Sequence, residues 1–313
     1  MSTPCVTLAV PCRTDEPALE RTLDAAWVSW QAAAQAATHA LEVLVCLNGP
    51  ADGSRALTDL RAFAAARAVA LAEVPADVGA AVTNAPLAVT ALCTPRAGKA
   101  IAWELLRRAA RGATMLFLDA DVSFPGDAFG LLLDALAARP DAILASARTT
   151  CEARPTAFER VMAVPYRIDF PNLSPQLYAA RRDGLPASMP QDLFDPEHWL
   201  ELTVGAEHMV RAPGARVVIR LPATLGDFFR QRIRIEMGKV QLAAEYPDVR
   251  RRAVPQPGLR TAMSELGPVD LLRLGTYLAL RETAHAIAWR RYRRGRTADV
   301  WRQAGTTKRW DAV

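Results

Sequence analysis

Residues 116–126 read LFLDADVSFPG, an apolar run that stops at two aspartates one residue apart, Asp119 and Asp121. Such a pair is two solvated carboxylates at a strand end, the opening of a calcium loop, or a seat for a cation. An EF-hand loop also begins with acids at its first and third positions and serine at its fifth. Its sixth position needs glycine and is Phe124 here, and its twelfth needs glutamate and is Gly130, so that chemistry fails. Hard divalent cations take oxygen ligands, and two carboxylates at the end of a strand and just past the turn can face one crevice. Magnesium or manganese held there would bridge the two phosphates of a nucleotide-sugar and offset the charge on a departing nucleoside diphosphate.

Other candidates lie upstream and downstream. Gly98 and Lys99 open a helical pattern, where free backbone amides and a cation suit a diphosphate. They form no Walker A motif, which would need glycine at Cys93 and Ser or Thr at Ala100. In DPEHW, Asp195 and Glu197 are either first-turn acids of a helix or acid–base groups. Arg230 and Arg234 fall one helical turn apart, on a face that suits phosphate or solvent equally. The five cysteines form no CxxC and no Cys/His cluster, which argues against a zinc site or a disulfide framework and for small buried apolar residues. A haloacid-dehalogenase-type phosphatase would use Asp119 as its nucleophile, but on the chain's first strand; here earlier strands precede it, and lysine is scarce.

The elements that must position these groups follow from periodicity. The first 148 residues alternate aliphatic runs with Ala/Leu-rich stretches, the pattern of a parallel sheet flanked by helices. Strands are expected at 6–11, 42–47, 69–74, 115–119 and 142–147, and helices at 17–38, 55–68, 98–110 and 126–138. Loops after residues 11, 47, 74 and 119 then line one crevice beyond the strand ends. Prolines 165, 171, 175, 186, 190 and 196 forbid a long helix and suggest an acceptor-binding lid. From EHWLELTV onward the pattern is helical, RVVIRLP reads as a strand, and Thr224 with Asp227 has capping-box spacing before a second helix. A mostly apolar helix over 269–296 ends in RRYRRGR.

Five blocks in order resemble the family 2 glycosyltransferases of the GT-A fold: VTLAVPCRTDEPALERTL, VLVCLNGPADGS, AGKAIAWELLRRAARGATMLFLDADVSF, MPQDLFDPEHWLELTV and TLGDFFRQRIRIEMGK. The resemblance runs from about Val6 to Lys239 and implies an α/β, Rossmann-like, mostly parallel sheet with flanking helices and a helical C-terminal extension. Residues 1–148 would be the nucleotide-sugar half, 149–245 the acceptor and catalytic-base half of the same domain, and 246–313 the basic extension. It implies an inverting transferase in which Asp121 ligates a divalent cation, Mn2+ or Mg2+, and Asp119 contacts the metal or the sugar and ribose hydroxyls. Pro11, Arg13, Asp15, Glu16, Asn48, Gly98, Lys99, Asp119, Gln231 and Arg234 would contact the donor. Glu197 aligns with the family's base, with Asp195 the second choice and Pro196 where an acid usually stands. Two further departures are Leu47, where the family often carries a uracil-recognising aspartate, and Ile235, where it carries the tryptophan of QxxRW. UDP is the donor nucleotide the family favours; a non-catalytic nucleotide-sugar-binding relative is the reading those departures motivate.

Composition sets the remaining expectations. With 51% hydrophobic and 23% charged residues and a net charge of +5, the chain reads as an ordinary globular protein. Outside RRYRRGR it carries no basic patch interleaved with aromatics, so nucleic acid is not an expected partner. No stretch gives roughly 18 uncharged apolar residues, and the expected compartment is the cytoplasm. The 269–296 segment either packs on the domain or lies on an anionic membrane face with Leu271, Leu274, Leu278 and Trp289 in the interface, which would suit a lipid-linked or glycan acceptor.

Overall fold

A computed structural model describes residues 5–49, 53–75, 87–154, 156–250, 264 and 266–295. Pro50, Ala51 and Asp52 of the second-strand loop and Arg296 of the basic tail lie outside the described residues. The chain forms two compact units. The first comprises Met1–Arg148, Leu173–Asp192 and Ala206–Val217; the second comprises Thr149–Asn172, Leu193–Gly205 and Val218–Val313.

The first unit is built on a sheet whose strands are β1 (Cys5–Arg13), β2 (Ala40–Asn48), β3 (Leu71–Pro75), β4 (Leu87–Thr94), β5 (Thr114–Leu118), β6 (Leu144–Glu152), β7 (Leu177–Arg181) and β8 (Met209–Arg220). Their order is β3-β4-β2-β1-β5-β7-β6-β8. β1 pairs in parallel with both β2 and β5, and β4 in parallel with β2 and β3. The chain therefore fills one side of β1 with β2, β3 at the edge and β4 between them, then crosses to place β5 on the other side. That reversal makes the carboxyl ends of β1 and β5 the topological switch point, where ligands of open α/β sheets bind. The central strands are apolar on both faces: Leu8 and Ala9, Val43 and Leu44, and Leu116 and Phe117, neighbours that point to opposite faces, are all buried. Helices α1 (Leu19–Ala32), α2 (Arg55–Ala66), α3 (Lys99–Ala109) and α4 (Ala128–Ala138) cover it, α1 packing with α2 and α4, and α3 lying on β1 and β2. Trp103 of α3 stacks on Phe117 of β5, which stacks on Tyr178 of β7, and the Trp103 indole N–H donates to the Tyr178 hydroxyl at 2.9 Å.

Three strands depart from the expected set. β4 has no alternation to betray it, because LAVTALCT is buried almost throughout. β7 runs through the proline-punctuated segment expected to form a lid, and it pairs antiparallel with both β5 and β6 inside the sheet. The prolines flank it rather than interrupt it. β8 begins at Met209, earlier than RVVIRLP suggests. The helix expected over 17–38 ends at Ala32 and continues only as a short 3-10 turn, Ala34–Ala37.

The second unit is mainly helical, with α5 (Ala157–Ala163), α6 (Pro196–Val204), α7 (Leu225–Glu245), α8 (Pro247–Arg250) and α9 (Pro268–Arg293). Thr224 caps α7 as its spacing predicts, its hydroxyl accepting from the Asp227 amide at 3.1 Å. Fully buried Ala284 and Ala288 let α9 approach Ile233 and Met237 of α7 closely, while Leu274 joins Val164, Ile168 and Leu266 in a neighbouring cluster. Buried Glu236 of α7 gathers Arg232 at 2.6 Å, Lys239 at 3.0 Å and His285 of α9 at 3.1 Å.

Candidate functional site

In the first unit the sheet brings the candidate acids to the switch point by register alone. β5 ends at Leu118, and the Asp119 amide, no longer in the ladder, donates to the Gln176 carbonyl at 2.9 Å just ahead of β7. Asp119 is thereby fixed on the strand axis, and Asp121 follows in the turn, partly exposed. Lys99, the first residue of α3, reaches the same place: its Nζ lies 2.6 Å from Asp119 Oδ1 and donates to the Pro175 carbonyl at 3.1 Å. Gly98 supplies the preceding turn with φ 149°, a conformation that side-chain-bearing residues rarely adopt. Asp119 and Lys99, expected to act separately on a metal and a diphosphate, thus form an ion pair in this structure.

The first loop carries its own charges. β1 begins that loop with Pro11 still in the ladder opposite Cys46, and Arg13 clamps Asp15 through Nε and Nη2, each donating to one carboxylate oxygen at 2.8 Å. Glu16 is buried, and its Oε1 accepts from the Ala18 amide at 3.2 Å, so it braces the start of α1 rather than facing a ligand with that oxygen. On β2, Leu47 is 2% exposed and sits in the core, leaving Asn48 as the polar residue at that strand end. Gly49 follows with φ 124°, and an added Cβ would lie 3.3 Å from Thr14 Oγ1.

Among the described residues no three His, Cys, Asp or Glu side chains converge as a self-sufficient metal cage. Two carboxylates alone nevertheless fit magnesium or manganese, which commonly accept one or two protein carboxylates and complete their shell with substrate phosphates and water.

In the second unit, α6 opens with Asp195 as its N-cap, Oδ1 accepting from the His198 amide at 3.3 Å. Asp195, the second choice of base, is therefore engaged in capping through that oxygen. Glu197 lies in the first turn and is 5% exposed. Burial opposes the charged imidazolium of His198, but the hydrogen bond to Glu201 and the Asp195 charge outweigh it and hold its pKa above the ordinary value. Gly238 of α7 is what allows this arrangement: an added Cβ would fall 2.5 Å from Asp195 Cβ and 3.1 Å from its backbone nitrogen. On the same helix Arg230 pairs with buried Asp227 at 3.0 Å, Arg234 and Gln231 are half-buried, and Ile235 occupies the tryptophan position. Sequence reasoning missed Gln176, Pro175 and Gly238. The first two belong to the unforeseen approach to β7, and nothing in a helical pattern marks a glycine as a contact.

No protein-family model matches this chain, and no curated protein matches it. Solved structures do. One of them, the mannosyltransferase PcManGT from Pyrobaculum calidifontis in complex with GDP-Man and Mn2+, superposes with a TM-score of 0.57 over 99% of this chain and 88% of its own, at 22% identity. At that identity the likeness is one of fold: this α/β chain shares a mostly parallel, Rossmann-like sheet with flanking helices.

Proposed function

We propose that the protein is an inverting, divalent-cation-dependent glycosyltransferase that moves a sugar from a nucleoside-diphosphate donor to a hydroxyl acceptor. The observation that carries the reading is the Lys99–Asp119 pair at the switch point, with Asp121 two residues on, in a sheet whose fold is similar to that of a solved glycosyltransferase. Asp121 and Asp119 would hold the cation, which when bound would offset charge on the leaving diphosphate. Lys99 would exchange its Asp119 partner for a phosphate oxygen, and the amides opening α3 would add a partial positive charge. Asn48 and the Arg13–Asp15 pair would meet the nucleoside, with Gly98 and Pro11 shaping the loop backbone and Gln231 and Arg234 contacting diphosphate or acceptor. Glu197 would take the proton from the acceptor hydroxyl as it attacks the anomeric carbon from the face opposite the diphosphate, which inverts the configuration. Its place in the first turn of α6, 5% exposed, keeps bulk water from competing with the acceptor hydroxyl for that proton.

The test is Mn2+-dependent turnover of a panel of UDP- and GDP-sugars by the wild type and Asp121→Asn. Both nucleotides are included because the sequence resemblance argues for UDP and the similar solved structure holds GDP-Man. Turnover that requires the metal and collapses in the variant supports the reading; no turnover with any donor, or a phospho-aspartyl intermediate on Asp119, overturns it.

A further inference from the structure

Helix α9 has one side buried within the second unit and one exposed side of small residues flanked by large apolar ones near its two ends. Its inner side buries Leu274, Ala284 and Ala288, with Leu271 and Leu278 packed beside Leu274. Of the two readings of this segment, packing on the domain holds for Leu271, Leu274 and Leu278, which join the core rather than a membrane face. The outer side carries Leu272 at 75% exposure, then Gly275, Thr276, Ala279, Thr283 and Ala286, all exposed, with Trp289 at its margin 48% exposed. Val269 adds 59% exposure one turn before Leu272, so three of the five exposed large apolar side chains among the described residues lie on this helix. Such residues scattered singly need no explanation; concentrated along one helix they mark a surface with a partner.

Charge identifies the partner. The C-terminal end of the helix carries exposed Arg290, Arg291, Arg293 and Arg294, of which Arg290, Arg293 and Arg294 continue the line of Leu272, and Arg293 lies over the Trp289 ring at 4.7 Å. The only exposed acid of α9 is Glu282, and it is paired with neighbouring Arg281 at 2.6 Å. A second copy of this helix would bring arginine to arginine if parallel. If antiparallel, it would bring arginine to the Asp270 end, where that carboxylate is already held by Arg167 and Arg273. A sheet of anionic headgroups over an apolar layer complements both halves of the face. No helix among the described residues is long and apolar enough to cross a membrane, so the fit is to a helix lying in the interface plane.

We propose that the outer face of α9 docks on an anionic lipid bilayer, with Leu272, Ala279, Ala286 and Trp289 in the interface and Arg290, Arg291, Arg293 and Arg294 on the headgroups. Leu272 and Trp289 are about 25 Å apart along the axis at 1.5 Å per residue, so the contact spans most of the helix. The inference stands on this surface alone and does not depend on the reaction the protein catalyses.

Co-sedimentation of the full chain with vesicles of phosphatidylcholine alone and of phosphatidylcholine with phosphatidylglycerol tests it. Expected are binding to the anionic vesicles only, weakening at high salt, and a loss of about fivefold in partitioning for each of Arg290→Ser and Arg293→Ser. Leu272→Asp with Trp289→Ser should abolish binding while leaving the melting temperature unchanged, since both side chains are exposed. Absence of binding, or equal binding by the double variant, overturns the proposal. So does sedimentation equilibrium showing a dimer that the double variant converts to monomer, which would give the face to a second copy.

Discussion

Asp121 in the first unit and Glu197 in the second are the two carboxylates on which the proposed chemistry rests, and they are held in opposite ways. Asp121 is partly exposed in a turn just beyond β5, placed by the strand's register and by the backbone bond that fixes Asp119 beside it. Glu197 sits almost wholly buried in the first turn of a helix, placed by the Asp195 cap and by the absence of a side chain at Gly238. A group held by sheet register can be exchanged for its amide without disturbing the scaffold. A group held by side-chain packing shares its fate with the helix that carries it. The first arrangement suits a ligand site that must open to solvent for metal and phosphate; the second suits a group whose orientation toward an acceptor must stay fixed.

That contrast is broken most severely at Glu197. Glu197→Gln keeps size and shape and removes only the proton acceptor, so transfer should fall by about 100- to 10,000-fold with donor KM unchanged. Unchanged kcat would make Glu197 a structural residue of α6 and assign the base to another group. Gly238→Ala tests the same position indirectly. The backbone of Asp195 stands in the way, so α6 should shift at a cost of about 1–3 kcal/mol, with melting temperature and kcat falling together.

Asp121→Asn should reduce metal-dependent turnover by about 100- to 1,000-fold, the scale of losing one preorganised charge at a developing anion. Calorimetry with Mn2+ and the nucleoside diphosphate should lose its heat while the melting temperature stays within about 1 °C. Lys99→Met separates the two readings of the Lys99–Asp119 pair. If the lysine exchanges onto phosphate, donor KM rises about 10- to 100-fold, the worth of a charge-assisted hydrogen bond. A lysine that serves only to hold Asp119 would instead lower kcat and metal affinity and leave nucleotide binding untouched.

The same division governs what is legible in the amino-acid sequence. Asp119 and Asp121 are legible because an apolar run ending in DxD marks both the strand and its end, and Thr224 because a capping box is local chemistry. Glu16 is half legible: its type suits a nucleotide loop, but its oxygen braces the start of α1, a contact that only the folded chain creates. β4 and β7 are not legible, one because burial on both faces removes alternation and the other because prolines at its flanks mask five residues of strand. For the tail helix, the membrane reading puts the wrong side outward. In a helix with large apolar residues on both sides, periodicity cannot say which side the domain covers.

The smallest expected effect concerns stability rather than catalysis. Burial raises the pKa of Glu236, but Lys239 and Arg232 outweigh it and His285 adds a hydrogen bond, so the carboxyl titrates below the ordinary glutamate range. A lowered folded value means stability that is complete above the unfolded glutamate pKa and lost as pH falls through the depressed one. Glu236→Gln should therefore cost about 2 kcal/mol near neutral pH, less than the 3–5 kcal/mol of a fully buried pair because the Lys239 and His285 side chains are 40% and 44% exposed. Thermal scans should place the variant about 4–8 °C lower at pH 7, and the gap should close below about pH 4 as the wild-type carboxyl is protonated. Hydrogen exchange should assign the loss to α7 and α9, which the Glu236–His285 pair ties together, and leave β1 and β5 unaffected. Faster exchange in the strands would mean that the two units do not unfold separately, and the contrast between register-held and packing-held carboxylates would then lose its thermodynamic basis.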